Sequence, residues 1–295
     1  MESRRAKTKV AVTLLALVGL LGFLILVMVS YPVVAQETAK PDIEELRMGK
    51  NFISTKVYSA EEDQETLKLF EGLRVSDVSD GMDKVGLHNI GLMSPEIHAA
   101  WKDTEHYTHR FVGIAVTARY VPTNKPPAPR METKDFDRWV DNWYSTISSG
   151  AFSPLIRKGT ALVFDDAPNA EAGSIGSNNI MGWRVHGCVG VVTNATARDT
   201  DEIATEKIPL YFRKHGRGIM PGRNELESVN RPIVCGGVLV EPGDVIVADG
   251  DGVIVVPRAH AKEVAEYARA TLDKDKAGRQ QLYKQLSLPP DDSVK

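Results

Sequence analysis

The chain has 295 residues, of which 42% are hydrophobic and 25% charged, and its formal net charge at pH 7 is −3. This length allows one sizeable core with extensions, and the mildly acidic balance argues against a nucleic-acid partner. Two cysteines, Cys188 and Cys235, are too few for a disulfide framework, and each lies in an apolar run that predicts a strand. We expect free buried thiols, with a bridge between them as the alternative.

The amino terminus has the three-part layout of a secretory signal. Four basic residues among the first nine precede an uncharged apolar run, residues 10–29, and small residues follow up to Ala35. Because an apolar run of about twenty residues can also span a bilayer, cleavage after Ala35 and retention as a hydrophobic anchor helix both stay open. Either outcome predicts an extracytoplasmic protein, periplasmic or secreted, with the membrane as a partner if residues 10–29 are kept. Residues 1–35 carry four basic and one acidic side chain, so removing this net +3 takes the charge from −3 to −6.

The first half of the remaining chain predicts helices and one long strand. Residues 61–70 and 75–86 indicate helices, and residues 111–121 alternate in a β-branched pattern typical of a strand. Apolar side chains recur at spacings of three and four over residues 136–147, which predicts an amphipathic helix. In that helix we expect Trp143 and Tyr144 to pack in the core or an interface.

The second half predicts a strand, helix, strand unit and then a run of short strands. The first unit is a strand over 160–164, a helix over 177–186 and a strand over 189–193, which implies a parallel crossover. Short strands joined by tight turns are predicted over residues 208–212, 238–240, 245–248 and 253–256. A helix over residues 259–272 and a charged tail follow them.

The residues at the start of the predicted helix over 177–186 favour an anion-binding site. The sequence Gly-Ser-Ile-Gly-Ser-Asn-Asn ends at Asn179 and lies between a predicted strand and the helix start. Unpaired backbone amides near Asn178 and Asn179 would face outward at the positive end of the helix, together with Gly176 and Ser177, and such amides bind carboxylates or phosphates. An ordinary Ser/Asn helix cap with nothing bound is the alternative.

The next predicted strand ends near a second pair of candidate residues, Arg198 and Asp199. A loop at the carboxyl end of a strand is where open α/β sheets bind ligands. Arg198 offers a bidentate fork for a carboxylate, and Asp199 offers hard oxygens to Mg²⁺ or Mn²⁺. A surface ion pair or a helix cap is the alternative for these two residues.

Together the two segments predict one site. A parallel crossover brings the amides of Asn178 and Asn179 and the side chains of Arg198 and Asp199 to the same edge of the sheet. A small 2-oxo acid would place its carboxylate on the amides and Arg198, and its keto oxygen on a metal held by Asp199. The metal would stabilise the enolate formed when a carbon–carbon bond breaks.

These segments resemble the RraA-like family. The resemblance rests on the Gly-x-x-Gly-Ser-Asn-Asn block, the run from Gly187 to Asp199, and the tail from Val240 to Pro257 with its Pro-Gly-Asp and Asp-Gly-Asp-Gly-Val turns. The family includes class II 4-hydroxy-4-methyl-2-oxoglutarate aldolases, oxaloacetate decarboxylases and the regulator of ribonuclease E activity A. The resemblance covers roughly residues 65–285.

The resemblance implies an α/β fold with three layers of the swivelling β/β/α type, assembled as a homotrimer or a multiple of it. It also implies that Arg198 binds a pyruvate moiety, that Asp199 holds the metal, and that the amides of Asn178 and Asn179 take the carboxylate. The aldolases carry an acidic residue twenty-one positions before the arginine, and in this chain that position is Ser177. A serine cannot act as a carboxylate base, so Asp165, Asp166 or Asn179 would have to compensate for the missing acidic residue.

A further family carboxylate comes from the C-terminal helix of a neighbouring protomer, and in this chain Asp275 is the candidate.

The expected organisation is a signal or anchor over 1–35, an extension over 36–64, the α/β domain over 65–285 and a polar tail over 286–295. The expected function is a divalent-metal-dependent carbon–carbon lyase, of aldolase or decarboxylase type, acting on a small 2-oxo acid. Two alternatives stay open: a non-catalytic protein that binds a small carboxylate, for which Ser177 argues, and a protein-binding regulator.

Overall fold

The computed structural model describes Glu44 and residues 53–126, 128–167 and 171–295. The apolar run over 10–29 lies outside the described residues, so the signal or anchor helix stays a prediction. In the part of the chain that is described, no helix combines the length and apolarity needed to cross a membrane. Residues Ile53–Lys295 form one unit.

The described residues form six α-helices and twelve strands. The helices are α1 Ala60–Phe70, α2 Val75–Lys84, α3 Thr133–Thr146, α4 Ser177–Val185, α5 Thr200–Thr205 and α6 Ala261–Gln285. The strands are β1 His98–Ala99, β2 Phe111–Pro122, β3 Thr160–Asp165, β4 Cys188–Thr193, β5 Thr196–Ala197, β6 Leu210–Phe212, β7 Lys214–His215, β8 Asn224–Val229, β9 Ile233–Cys235, β10 Val238–Val240, β11 Val245–Asp249 and β12 Gly252–Val256.

Most predicted elements are confirmed within a few residues, but the last helix is longer than expected. We predicted that it ends near Leu272, and it continues to Gln285. Its buried residues stop at Leu272, so the apolar periodicity stops there too. The exposed remainder is rich in residues with high helix propensity, and its Gln280 side chain donates a hydrogen bond to the main-chain carbonyl of Val294 in the tail.

The main sheet is mixed and has β2 at its centre. Its strand order is β1-β6-β4-β3-β2-β11-β12, and β8 also pairs with β2. The neighbours β2 and β3, β3 and β4, and β4 and β6 are parallel, whereas β11 runs antiparallel to β2 and to β12. The predicted parallel pairing of β3 and β4 around α4 is therefore confirmed, and the C-terminal strands extend the same sheet.

The two faces of this sheet are covered differently. Ala115 and Ile246 face a cluster that contains the β9–β10 hairpin. Ile114 and Val245 face the opposite way, toward α1, α2 and α6. Successive strand residues point to opposite faces, so these neighbours in sequence belong to different cores. The arrangement is a mixed α/β fold, in which both cysteines are free and buried.

Candidate functional site

A cavity of about 460 Å³ lies at the carboxyl ends of β3 and β4. The residues of the predicted site, Gly176 to Asn179 together with Arg198 and Asp199, all line it. The parallel pairing of β3 with β4 explains this convergence, because the loops that leave both strands start from the same edge of the sheet. The sequence therefore identified one end of the cavity correctly as a place where these residues meet.

The first turn of α4 presents free amides to this cavity. Ile180 N donates to Gly176 O at 3.1 Å, which is the first helical hydrogen bond. Of the earlier amides, that of Ser177 donates to Asp199 Oδ2 at 3.3 Å. The amides of Asn178 and Asn179 have no hydrogen-bond partner among the described residues. Two donors at the positive end of a helix are thus available to an anion.

A short backbone contact fixes Arg198 and Asp199 beside this helix start. Ile175 pairs with Ala197 in a parallel bridge, and Arg198 N donates to Ile175 O at 2.8 Å. Asp199 then takes a left-handed conformation with φ of +56°, immediately before α5. Aspartate tolerates this conformation better than most residues, and the turn directs its carboxylate toward Ser177.

Two glycines make room for these side chains. A Cβ atom at position 173 would lie 2.6 Å from Cβ of Arg198. A Cβ atom at position 176 would lie 2.8 Å from Oδ2 of Asp199. Both distances are too short for real contacts, so Gly173 and Gly176 allow the arginine and the aspartate to lie against the loop before α4.

The carboxylate of Asp199 suits a hard divalent cation. Its side chain is 39% exposed, and Arg198 Nε lies 3.7 Å from its Oδ2 atom. Its other oxygen makes no hydrogen bond or ion pair within the described residues. Mg²⁺ commonly binds through one or two carboxylates and keeps several waters, which fits one open carboxylate better than a closed cage. The described residues contain no group of three or more His, Cys, Asp or Glu arranged for a metal.

Asp166 is a second carboxyl in the cavity lining, and it is 97% buried, with 3% exposure. It accepts hydrogen bonds from the hydroxyl of Ser174, from Ala167 N at 2.7 Å and from Asn224 Nδ2 at 2.9 Å. Burial raises the pKa of Asp166 above its ordinary value, although these hydrogen bonds act in the opposite direction. A carboxyl with a raised pKa beside a cavity is a candidate for proton exchange with a bound ligand.

The neighbouring Asp165 is turned away from the cavity lining. Its carboxylate accepts from Asn194 Nδ2 at 2.8 Å and lies 3.3 Å from Arg119 Nε. Of the groups that the sequence suggested in place of the missing acid at Ser177, the structure brings Asp166 and Asn179 to the cavity and leaves Asp165 outside its lining.

Asn224 connects the cavity to α3, and no pattern along the chain points to this role. Its backbone carbonyl accepts from Trp143 Nε1 at 3.1 Å and from Ser148 Oγ at 2.6 Å, while its side chain donates to Asp166. Trp143 is a core residue as expected, and Tyr144 beside it packs against the core and also lines the cavity. Residues this far apart in the chain meet only through the folded structure.

The other end of the cavity is an aromatic wall, which we define as Tyr120, Phe152, Phe164 and Trp183. The Phe152 and Phe164 ring centroids are 5.1 Å apart, and Trp183 lies 5.5 Å from each of them. These distances are typical of packed aromatic side chains. The wall combines residues from β2, β3, α4 and the loop after α3, so periodicity along the sequence could not reveal it.

Asp275 is not in the lining of this cavity. Its carboxylate lies 3.2 Å from an Arg74 guanidinium nitrogen, on the part of α6 that packs near α2. Within one chain, Asp275 therefore belongs to a different surface from Asp199.

Comparisons with known proteins match a part of the chain that contains the segments of the site. The family model described as RraA-like, Aldolase/RraA, matches residues 75–255. A protein from Halalkalibacterium halodurans named "Putative 4-hydroxy-4-methyl-2-oxoglutarate aldolase" is 32% identical over 124 residues, covering 40% of this chain and 56% of the relative. A protein of Arabidopsis thaliana with the same name, numbered 3, is 29% identical over 106 residues, covering 33% and 58%. The chain spans about half the length of the curated relatives it matches.

Solved structures share the fold. An uncharacterised protein from Pseudomonas syringae superposes with a TM-score of 0.59 at 24% identity, covering 80% of this chain and 97% of that one. The Streptomyces coelicolor protein RraAS2, described as an unusual member of the RNase ES inhibitor RraA protein family, gives a TM-score of 0.57 at 19% identity, covering 77% and 99%. Since the family model spans more than half of the chain and includes both loops of the cavity, this protein belongs to the RraA-like family.

Proposed function

We propose that this protein is a divalent-metal-dependent carbon–carbon lyase that acts on a 2-oxo acid, of class II aldolase or oxaloacetate decarboxylase type. The observation that carries the proposal is the convergence of two free helix amides, one arginine and one open carboxylate on a single cavity. The aldolase names of the relatives support the same reaction class.

In the proposed complex the substrate carboxylate lies at the start of α4. The amides of Asn178 and Asn179 donate to it, and Arg198 supplies a positive charge and a bidentate fork. Arg198 also faces the negative charge that develops on the keto oxygen as the bond to C4 breaks. Gly176 and Ser177 shape this end of the cavity.

Asp199 is the residue that would hold Mg²⁺ or Mn²⁺. When bound there, such an ion supplies Lewis-acid stabilisation of the developing enolate. The remaining residues bind and orient the substrate and handle protons.

We assign the proton transfer to Asp166, because Ser177 is not a carboxylate and Asp166 is a buried carboxyl in the lining. In retro-aldol cleavage, Asp166 accepts the proton of the C4 hydroxyl, either directly or through the hydroxyl of Ser174. The C3–C4 electron pair passes to the enolate of pyruvate, and an aldehyde or ketone leaves. Return of the proton to C3 completes pyruvate and regenerates the carboxylate.

The test is turnover by the purified protein with Mg²⁺ or Mn²⁺, with and without a chelator. Pyruvate release from 4-hydroxy-2-oxo acids, or decarboxylation of oxaloacetate, is expected and should stop when the metal is chelated. If a folded, metal-supplied protein performs neither reaction, the proposal is wrong.

A second candidate is a binding protein that keeps the pocket without turnover. Ser177 favours it, because this residue stands where the aldolases have an acid. Calorimetry separates the two functions: binding of a 2-oxo acid, without release of pyruvate or CO₂, supports the binding protein.

Two further proposals concern the setting of the site. We propose that the protein works outside the cytoplasm, for which the composition of residues 1–35 is the support, and fractionation of cells tests it. We also propose a homotrimer in which Asp275 of one protomer approaches the cavity of the next. A monomeric mass in solution, or an Asp275→Ala variant with full turnover, would contradict that assembly.

A further inference from the structure

The cavity is larger than a carboxylate-binding site alone requires. Its volume of about 460 Å³ falls within the range of about 300–1,000 Å³ that is typical of sites for drug-sized ligands. A pyruvate moiety held by Arg198 and the α4 amides would occupy only the polar end. The remaining space determines which substituent the substrate can carry.

The aromatic wall contributes apolar surface to that space. Phe152 and Phe164 are 1% and 4% exposed, so the wall is fixed before a ligand arrives. The phenol of Tyr120 is neutral at pH 7, and burial raises its pKa further above the ordinary value. Met220, which is also buried, adds a polarisable apolar surface. An aromatic or branched apolar group would find complementary contacts here.

The charges that one chain places in the lining disfavour a second carboxylate. Arg198 is the sole cationic side chain among the described residues that line the cavity, and the first carboxylate occupies it. Asp166 and Asp199 are the other charged groups of that lining. A carboxylate at the aromatic end would be desolvated without a positive partner, which is strongly unfavourable.

We propose that the preferred ligand is a 2-oxo acid with one carboxylate and an aromatic or bulky apolar group on the side away from it, and that Tyr144 determines this preference. The inference rests on the proposed function for the placement of the carboxylate at Arg198. It differs from that function in selecting against dicarboxylic substrates such as the 2-oxoglutarate derivative in the relatives' names.

Tyr144 is held in position by its neighbour. Trp143 donates through Nε1 to Ser148 Oγ and to the carbonyl of Asn224, both at 3.1 Å, which fixes the last turn of α3. Tyr144 itself is half-buried and lines the cavity, so its side chain can be changed at lower cost than the buried wall residues. It is therefore the best position at which to alter ligand choice.

The first experiment measures binding, so that it does not depend on turnover. The full-length protein with Mg²⁺ is titrated calorimetrically with phenylpyruvate and, separately, with 2-oxoglutarate. We expect phenylpyruvate to bind about tenfold more tightly or better, since contacts of this kind discriminate by about 10–200-fold. Equal affinities, tighter 2-oxoglutarate, or failure to bind either compound would overturn the inference.

A separate measurement reports on the proposed function alone. Exchange of the C3 hydrogens of pyruvate for deuterium in heavy water requires the enolate but no distal group. Exchange together with a preference for 2-oxoglutarate would leave the lyase proposal intact and reject the substrate inference. A preference for phenylpyruvate without exchange or turnover would support the substrate inference and reject the lyase proposal.

A matched pair of variants tests the assignment to Tyr144. Tyr144→Arg adds a cation to the cavity, and we expect it to narrow the preference for phenylpyruvate over 2-oxoglutarate by about tenfold. Phe136→Arg makes a similar change on the same helix, at a side chain that is 40% exposed and outside the lining, and should leave both affinities unchanged. If the two variants act alike, or if Tyr144→Arg changes both affinities equally, Tyr144 does not determine specificity.

Discussion

Two acidic regions of this protein have similar sequence signals and different surroundings. The carboxylates of Asp244 and Asp249 in the C-terminal hairpin are 6% and 4% exposed, and each accepts two backbone amides. The carboxylate of Asp199 accepts one amide at 3.3 Å and its side chain is 39% exposed. Carboxylates whose oxygens are all used by the backbone hold turns and helix ends together. A carboxylate with a free oxygen beside a cavity is available for chemistry.

Of the substitutions that test this comparison, those at Asp199 are expected to have the largest effect. Asp199→Ala and Asp199→Asn should each lower kcat/KM for pyruvate release by about 10²–10³-fold, a loss typical of removing one electrostatic group from a site. The asparagine variant tolerates the left-handed backbone, so its thermal unfolding midpoint should stay close to that of the unchanged protein. Full turnover and unchanged metal affinity in both variants would rule out the role of Asp199.

Asp166 resembles the hairpin carboxylates in burial but belongs to the cavity, so its replacement tests the comparison directly. Asp166→Asn should lower kcat by about 100-fold. Because the proton acceptor must be ionised and burial raises its pKa, activity in the unchanged protein should rise with pH through that raised pKa. The Asp166→Asn variant should lose this rise of activity with pH. A pH–rate profile of the variant that keeps the rise would assign the titration to another group.

Titration of Asp244 in the C-terminal hairpin should make the free energy of unfolding depend on pH. Burial raises the pKa of Asp244 from an ordinary value of 3.8 to about 6. The folded state then binds more protons than the unfolded state between these values, so the free energy of unfolding should fall as pH rises from about 4 to about 6, by up to about 3 kcal/mol. Asp244→Asn should flatten that slope in urea titrations. An equal slope in both proteins would contradict the assignment.

Asp249 should affect stability rather than activity. Its carboxylate accepts from Val75 N at the start of α2 and from Asp251 N, both at 2.9 Å. Asp249→Ala leaves these donors without a partner, and we expect the free energy of unfolding to fall by about 1–3 kcal/mol. Asp251→Ala, at an exposed position of the same turn, is the matched control and should change little. Urea unfolding of both variants decides the point.

The smallest effect is expected at Arg198. Arg198→Lys keeps the positive charge but loses the bidentate fork. The apparent affinity for the 2-oxo acid should weaken by about tenfold, because one of two charge-assisted hydrogen bonds is lost. Calorimetry with pyruvate measures this loss, and an unchanged dissociation constant would place the carboxylate elsewhere.

Much of the fold was predictable because its signals are local. The alternating pattern of β2, the apolar runs of β3 and β4, and the capped start of α4 each lie within a few adjacent residues. The short strands of the β5–β7 pair and the long β8 strand were not predicted. Strands this short, or with as many half-buried positions as β8, form through their partners rather than through their own periodicity.

The convergence of the residues at the polar end of the cavity was predictable from the chain alone. Gly176 to Asn179 and the Arg198–Asp199 pair follow neighbouring parallel strands, and the geometry of such a sheet brings the loops at their ends together. The rest of the site could be recognised only in the folded protein. The aromatic wall, the burial of Asp166 and the link through Asn224 depend on side chains from distant segments, whose meeting is set by packing between elements and not by any pattern along the chain.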